Sequence, residues 1–398
     1  MKLKHIVTVI CSALMILIFG LYSAISTPDE EKHIKVGFLY VGDGSNPYTN
    51  NFMRAEKDIE EAYGDKVETI AMYNVPEGDS VCAALDELIN QECKMIFATS
   101  YGYSSYMKEY AEKYPNIEFC QATGDNANTD PVLDNYHTYM GFVYEGRYIS
   151  GVVAGMKMKE LLDQGLITED DLWIGYIGAF PFAEVISGYT AFYLGASSVV
   201  PNVKMRVKYT NSWGDYKLEK KYAEELISEG CIIISQHSDT TGPAVACENT
   251  SADTIVYHVG YNQNMISVAP TTSLIGCRIN WSPYMVDAVG AVMKGETIED
   301  EIDAKTFGND SGAGFNKGWI QMLNLNELIA ADGTREEINR LEKQFKSGGV
   351  DVFKGDYIGV DPYNPEDTID LNDGFDENAS ASAPAFHYIL KDVIIIEE

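Results

Sequence analysis

An α/β fold of two doubly wound, parallel-sheet lobes is what this sequence predicts, and two observations carry the prediction. Short β-branched runs that end in polar or aromatic residues alternate with helical periods, the pattern of parallel βα units. The alternation also occurs twice, on either side of a crossing near residue 142. In the first half IKVGFLYVG (34–42) runs into DGSNPYTNNF (43–52), and MIFATS (95–100) into YGY (101–103). In the second half LWIGYIG (172–178) runs into AFPFAEV (179–185), and CIIISQ (231–236) into HSDTTG (237–242). In open α/β sheets a ligand sits outside the carboxyl ends of the strands. Two such sheets facing each other form a cleft, here lined with Tyr, Trp, Asn and Asp.

In the first lobe strand 34–41 precedes an amphipathic helix at about 49–63, followed by strand 67–73, helix 80–92, strand 94–99, helix 103–114 and strand 117–121. Leu85, Leu88 and Ile89 show the i, i+3, i+4 spacing that buries one helix face on a sheet. GDNANTDPVLDN (124–135) is rich in turn formers and reads as a surface excursion. Strand 136–143 leads into a long helix, 144–162, whose Gly151 and Gly155 allow close approach of a neighbouring backbone. Strand 172–178, helix 183–197, strand 203–209, helix 216–229, strand 231–235, helix 241–250 and strand 254–259 repeat the alternation. SLIGCRINW (273–281) is expected to return to the first lobe, ahead of helix 283–294; a strand around 314–321 crosses back. Residues 355–381 read as an acidic loop, with a final strand in 386–396. The resulting division is a signal peptide or N-terminal anchor (1–26), a linker (27–33), lobe 1 (34–143 with 276–314) and lobe 2 (144–275 with 315–398). Several crossings between lobes form a hinge, and a hinge lets lobes close over a ligand.

Composition narrows the function. With 398 residues there is room for two ordinary domains, and 45% hydrophobic residues exclude global disorder. The formal charge of −31, from 29 basic and 60 acidic residues, repels phosphate backbones and rules against nucleic acid. Lys2 and Lys4 precede the apolar run Ile6–Phe19, and Ala24 and Ser26 offer a cleavage site, so the segment is an export signal or, uncleaved, an anchor. The protein is therefore expected outside the cytoplasmic membrane, at the cell surface or in a periplasm. Six cysteines follow that segment, with no C-x-x-C pair or zinc spacing; they read as buried thiols, a Cys231–Cys247 disulfide remaining open. Neither a cofactor nor a metal is called for.

The motifs VPEGDS (75–80), TSYGY (99–103), EGRYISGVVAG (145–155), IGYIGAFPFAEVISGYTAFYLGA (174–196), TNSWGD (210–215), ISQHSDTTG (234–242) and VGYNQN (259–264), in this order, resemble the BMP family over roughly residues 34–395. These are solute-binding components of ABC transporters for purine nucleosides and related compounds. The resemblance implies the type I periplasmic binding protein fold and an ABC permease as partner. It also implies a purine base or nucleoside held between aromatic rings, Tyr48 from lobe 1 and Trp213 from lobe 2. Stacking suits a flat heterocycle and is worth about 1–3 kcal/mol per base in single-strand binders.

Other candidates sit where strands end. Thr49 follows Tyr48; Ser100 and Tyr101 follow strand 94–99, as cleft floor or as a helix cap. Phe180 precedes a helix N-terminus, and His237 and Asp239 lie at the same level of the second lobe. Without a nucleophile motif, His237 and Asp239 are hydrogen-bonders rather than a catalytic dyad, and no enzyme is expected. Asn262 and Asn264 are neutral amides where the family usually has Asp. Asn280 and Trp281 replace a sugar-contacting Lys, which favours a free base, and Trp281 either contacts ligand or packs under the hinge. The competing functions are a membrane-tethered ligand sensor and, further off, a nucleoside hydrolase.

Overall fold

The run IKVGFL folds into a strand, β1 (Ile34–Leu39), buried along nearly its whole length, as a central strand covered on both faces must be. A computed structural model describes residues 33–397; the expected export signal, Cys11 and most of the linker lie outside the described residues. Helix α1 (Pro47–Tyr63) follows, its first turn capped by Asn46, whose Oδ1 accepts from Thr49 N at 2.9 Å. Phe52, Ala55 and Ile59 bury its inner face. Then come β2 (Val67–Met72), α2 (Ser80–Asn90), β3 (Met95–Ala98), α3 (Ser104–Lys113), β4 (Glu118–Ala122) and β5 (Tyr136–Gly141). The second run consists of α4 (Val143–Asp163), β6 (Trp173–Gly178), α5 (Ala183–Ser197), β7 (Lys204–Tyr209), α6 (Tyr216–Ser228), β8 (Ile233–His237), α7 (Gly242–Glu248), β9 (Tyr257–Tyr261) and β10 (Ser273–Ile279). The remainder comprises α8 (Ser282–Lys294), α9 (Ile298–Glu301), β11 (Lys305–Phe307), β12 (Asp310–Ala313), β13 (Ile320–Met322), α10 (Thr334–Lys346), β14 (Ile358–Val360), β15 (Thr368–Asp370), β16 (Ile389–Leu390) and β17 (Ile394–Ile396).

The two large sheets share one topology. The first runs β2-β1-β3-β4-β5-β12-β11 and the second β17-β7-β6-β8-β9-β10-β13. Setting aside β17, each begins with the doubly wound order 2-1-3-4-5, so strand order reverses beside β1 in one lobe and beside β6 in the other. Pairing is parallel except at the far edges, where β11 and β13 run antiparallel to their neighbours. The chain passes between lobes at β5 to α4, at β10 to α8 and at β12 to β13. Helix α8 packs on α1, with Tyr63 Oη donating to Val286 O at 2.8 Å. The tightest helix crossing is that of α4 on α5. A Cβ on Gly151 would stand 1.9 Å from Phe192 O, and one on Gly195 2.1 Å from Tyr148 O, so only glycine permits this approach.

Three expectations need correction. β10 pairs with β9 and β13, so the second sheet extends to Ile279 rather than ending at 275, and the return to the first lobe comes after that strand. The acidic stretch after residue 355 is not a plain loop: β14 pairs with β15 and β16 in a small sheet of its own. The last apolar run divides between two sheets, β16 joining β14 and β17 joining β7. This tail also holds the first lobe, since Ser382 donates through N and Oγ to Asp310 (2.6 Å each) and Lys305 Nζ donates to Asn378 O. All six described cysteines are free thiols, five of them buried, which leaves Cys231 and Cys247 unbridged.

Candidate functional site

A cavity of about 430 Å³ lies between the carboxyl ends of the two sheets, where a doubly wound fold is expected to bind. Val41, Tyr48, Ser100, Tyr101 and Thr123 line it from the first lobe, and Glu184, Trp213, His237, Asp239 and Tyr261 from the second. The contributions correspond. Ser100 follows β3 as Asp239 follows β8, and Thr123 follows β4 where Tyr261 closes β9. Beyond β4 and β9 the chain turns with positive φ at Thr123 (60°) and at Asn262 (64°). Such a conformation is uncommon outside glycine, and most of all for a β-branched threonine, so the turn on each side stores strain at the cavity rim.

In the first lobe Tyr48 is anchored rather than loose. Its hydroxyl donates to Thr99 O at 2.6 Å, and its ring meets Phe52 edge-on at 5.1 Å. Phe52 in turn stacks on Trp281 at 4.5 Å. Trp281 is 1% exposed and sits behind two layers of rings, packed under the hinge instead of in the cavity wall. Ser100 Oγ donates to Glu77 Oε1 at 2.5 Å, and Tyr101 Oη to Asp125 Oδ2 at 3.2 Å.

The second lobe supplies the remaining aromatic surface. Trp213 meets Phe180 edge-on at 5.4 Å, and Phe180 stacks on Phe182 at 5.0 Å. Phe182 approaches Tyr101 of the opposite lobe with ring centroids 6.1 Å apart, narrowing the cleft. The peptide after His237 is tied to the tryptophan turn by Asp239 N donating to Trp213 O at 2.7 Å.

Titratable groups concentrate on this side. His237 Nε2 lies 3.3 Å from Glu184 Oε1, and its Nδ1 has no hydrogen-bond partner. Burial and the neighbouring Arg147 charge push the imidazole down to about 4, so it is neutral at pH 7; the Glu184 contact then assigns the proton to Nε2. Burial, reinforced by Glu219 and Glu184, holds the Asp239 carboxyl well above the usual carboxylate range. Asn262 Nδ2 donates to it at 3.2 Å. Glu219, behind the same turn, accepts from Ser238 Oγ and Thr240 Oγ1 at 2.9 and 2.7 Å, and burial pushes it up to about 7. Arg147 is fully buried with its guanidinium carbon 3.7 Å over the Tyr261 ring, a cation–π contact directly behind the cavity wall.

Of the residues singled out in the sequence, Tyr48, Ser100, Tyr101, Trp213, His237 and Asp239 come together on this wall. Phe180 supports Trp213 from the side. Thr49 is fully buried within the capped turn of α1. Asn262 bridges the lobes, accepting from Asn51 Nδ2 through its backbone oxygen at 3.0 Å. Asn264 closes a local turn onto Ile266 N, and Asn280 donates to Gly318 O at 3.1 Å, in the hinge. Glu184, Tyr261, Thr123, Val41 and Arg147 went unnoticed. Tyr261, Thr123 and Val41 obey the strand-end rule that found Ser100, His237 and Asp239.

A family model described as ABC transporter substrate-binding protein, PnrA-like (Bmp) matches residues 34–353. The chain belongs to the Bmp family. This Bmp protein is 33% identical over 326 residues to a purine-binding protein of Brucella abortus, covering 82% of this chain and 84% of that one. It is 28% identical over 329 residues to a putative ABC transporter glucose-binding protein of Haloferax volcanii, covering 82% and 76%. Among solved structures it resembles an ABC-transporter solute-binding protein of Aeropyrum pernix (TM-score 0.63, 14% identity, 79% of this chain and 92% of that one). A solute-binding protein of Conexibacter woesei is similar too (TM-score 0.60, 14% identity, 80% and 97%). The two-lobed periplasmic-binding-protein fold is thereby shown. The chain is an extracytoplasmic substrate-binding protein of an ABC transporter, not an enzyme. Among the described residues no helix is long and apolar enough to cross a membrane.

Proposed function

We propose that this Bmp protein captures a purine base or nucleoside between its lobes and delivers it to an ABC permease. The observation that carries the reading is one cavity walled by Tyr48 from the first lobe and Trp213 from the second. A flat, polarisable heterocycle gains stacking from aromatic side chains contributed by both lobes. The hydrogen-bonding side chains support the same reading. Burial favours the protonated form of the Asp239 carboxyl, which offers a donor and an acceptor side by side, and neutral His237 adds an imidazole fixed by Glu184. Purine edges display the complementary alternation. Closure of the hinge on the ligand stabilises the shape the permease engages. Retention at the membrane through the N-terminal segment is compatible with this role.

Thermal-shift measurements against bases, nucleosides, sugars and amino acids test the reading, because a ligand that binds only the folded state raises its apparent stability. Purines are expected to give the strongest shift. A response to glucose or other sugars alone, as the name of the Haloferax relative would have it, contradicts the proposal.

A further inference from the structure

The C-terminal sheet brings three metal-ligating side chains to one place. β14 pairs with both β15 and β16, and Val360 at its end stands opposite Thr368 of one and Ile389 of the other. This end of the sheet therefore gathers Asp361 after β14, Asp367 before β15 and His387 two residues before β16. Asp361 N donates to Asp367 O at 3.0 Å and closes the loop between them. One ligand atom from each of the three side chains lies within 4.8 Å of the other two. No metal-ligand spacing marks these residues in the sequence, because only sheet register joins them. They lie beyond residue 353, where the family model ends. Asp361 and His387 also help wall a chamber of about 1030 Å³ that shares Tyr101 and Trp213 with the ligand cavity.

Each side chain is held from outside the cluster. His387 Nδ1 donates to Ala385 O at 2.8 Å, which leaves Nε2 with the free lone pair of the neutral ring. One Asp361 oxygen accepts from Tyr363 N at 2.8 Å and one Asp367 oxygen from Tyr388 Oη at 3.3 Å, so each carboxylate keeps a second oxygen. Outer bonds of this kind orient metal-binding imidazoles and carboxylates. His387 Nε2 and Asp361 Oδ2 stand 3.8 Å apart. That is too long for a hydrogen bond, yet within the roughly 4.2 Å spanned by two atoms that each sit about 2.1 Å from one cation. Among the described residues no Lys or Arg lines the chamber to balance Asp125, Glu184 and Asp361. Ca²⁺ and Mg²⁺ prefer sets made of oxygen alone, whereas an imidazole beside carboxylates suits Zn²⁺ and its first-row neighbours. Three protein ligands leave the fourth position of a tetrahedral ion open to water or solute.

We infer that Asp361, Asp367 and His387 bind one divalent first-row cation of the Zn²⁺ type, which staples the C-terminal sheet beside the ligand cavity. Strands of two or three residues are marginal alone, and an ion shared by both ends of the loop and by the approach to β16 ties all three together. Titration calorimetry and thermal unfolding of the full chain, stripped with a chelator and then given ZnCl₂, test the site, with MgCl₂ and CaCl₂ for comparison. One equivalent of Zn²⁺ should bind with a Kd on the order of 1 μM and raise the melting temperature by about 3 °C. Mg²⁺ and Ca²⁺ should bind at least about 100-fold more weakly. His387→Ala and Asp367→Asn should each weaken Zn²⁺ at least about 30-fold. Neither side chain is buried, so the melting temperature of the metal-free variants should match that of the parent, which reports that they are folded. Absence of Zn²⁺ binding, equal affinity for Ca²⁺, or Zn²⁺ binding undiminished in either variant overturns the site. The purine reading is independent of it and survives each of those results.

Discussion

The two lobes share a strand order but not a chemistry. The first presents Val41, Tyr48, Ser100, Tyr101 and Thr123 to the cavity, all without formal charge at neutral pH; the second presents Glu184, His237 and Asp239 beside Trp213 and Tyr261. Behind them the second lobe also buries Arg147 and Glu219. A doubly wound sheet thus fixes where a ligand goes, while the one or two residues past each strand decide what is read. In the proposed mode the first lobe supplies shape and the second supplies directional hydrogen bonds.

The sharpest contrast is between two buried histidines. His137 of the first lobe, near the amino end of β5 and away from the cleft, is bonded to Glu299 at 2.6 Å and Glu118 at 3.1 Å. Burial alone would lower it, but the two carboxylates prevail and push it up to about 9. Its contribution is complete below the unfolded value near 6.5 and is lost as pH rises through about 9. His237, pushed down to about 4, has the opposite sign: stability is lost as pH falls from about 6.5 toward 4. Urea unfolding across pH should show His137→Gln flattening the alkaline limb and His237→Gln the acid limb, each by about 3 kcal/mol. If both flatten the same limb, the assigned charge states are wrong.

Asp239 gives the next largest effect. Asp239→Ala should weaken purine binding by about 2 kcal/mol, roughly 30-fold, whereas Asp239→Asn, which keeps a donor and an acceptor, should stay within about threefold. Equal losses in calorimetry would mean that the carboxylate charge, not a neutral acid, holds the ligand. Trp213→Ala should cost at least about tenfold in purine affinity with an unchanged melting temperature of the free protein; unaltered affinity removes Trp213 from the site. The smallest change belongs to the first lobe. Ser100→Ala should shift affinity less than about twofold, because the hydroxyl is already committed to Glu77. A larger loss would show that Ser100 turns toward the ligand.

Both lobes were legible because each strand combined β-branched residues with a polar stop, and the helices between them carried one apolar face. Ser100, His237 and Asp239 could be found because they close or follow strands β3 and β8, whereas Tyr48 and Trp213 were implied by the resemblance to the family. Thr123 was missed because strand β4 runs to Ala122 and the turn after it was taken for surface. Arg147 sits inside a helix, where an arginine reads as solvated, and only the tertiary structure shows Tyr261 beneath it. Asn264 and Asn280 were misleading in the other direction: amides near a site serve turns and hinges as readily as ligands. The C-terminal sheet escaped notice because its strands are two or three residues long and interrupted by Pro, Asp and Gly. Helix α10 was overlooked despite Ile338, Leu341 and Phe345 lying on one buried face.

A crystal structure of the full chain grown with a purine nucleoside is the most direct test. The account predicts the base between the Tyr48 and Trp213 rings, with its edge on Asp239. Density for the ligand outside that slot, or a sugar ring occupying it in place of the base, would contradict it.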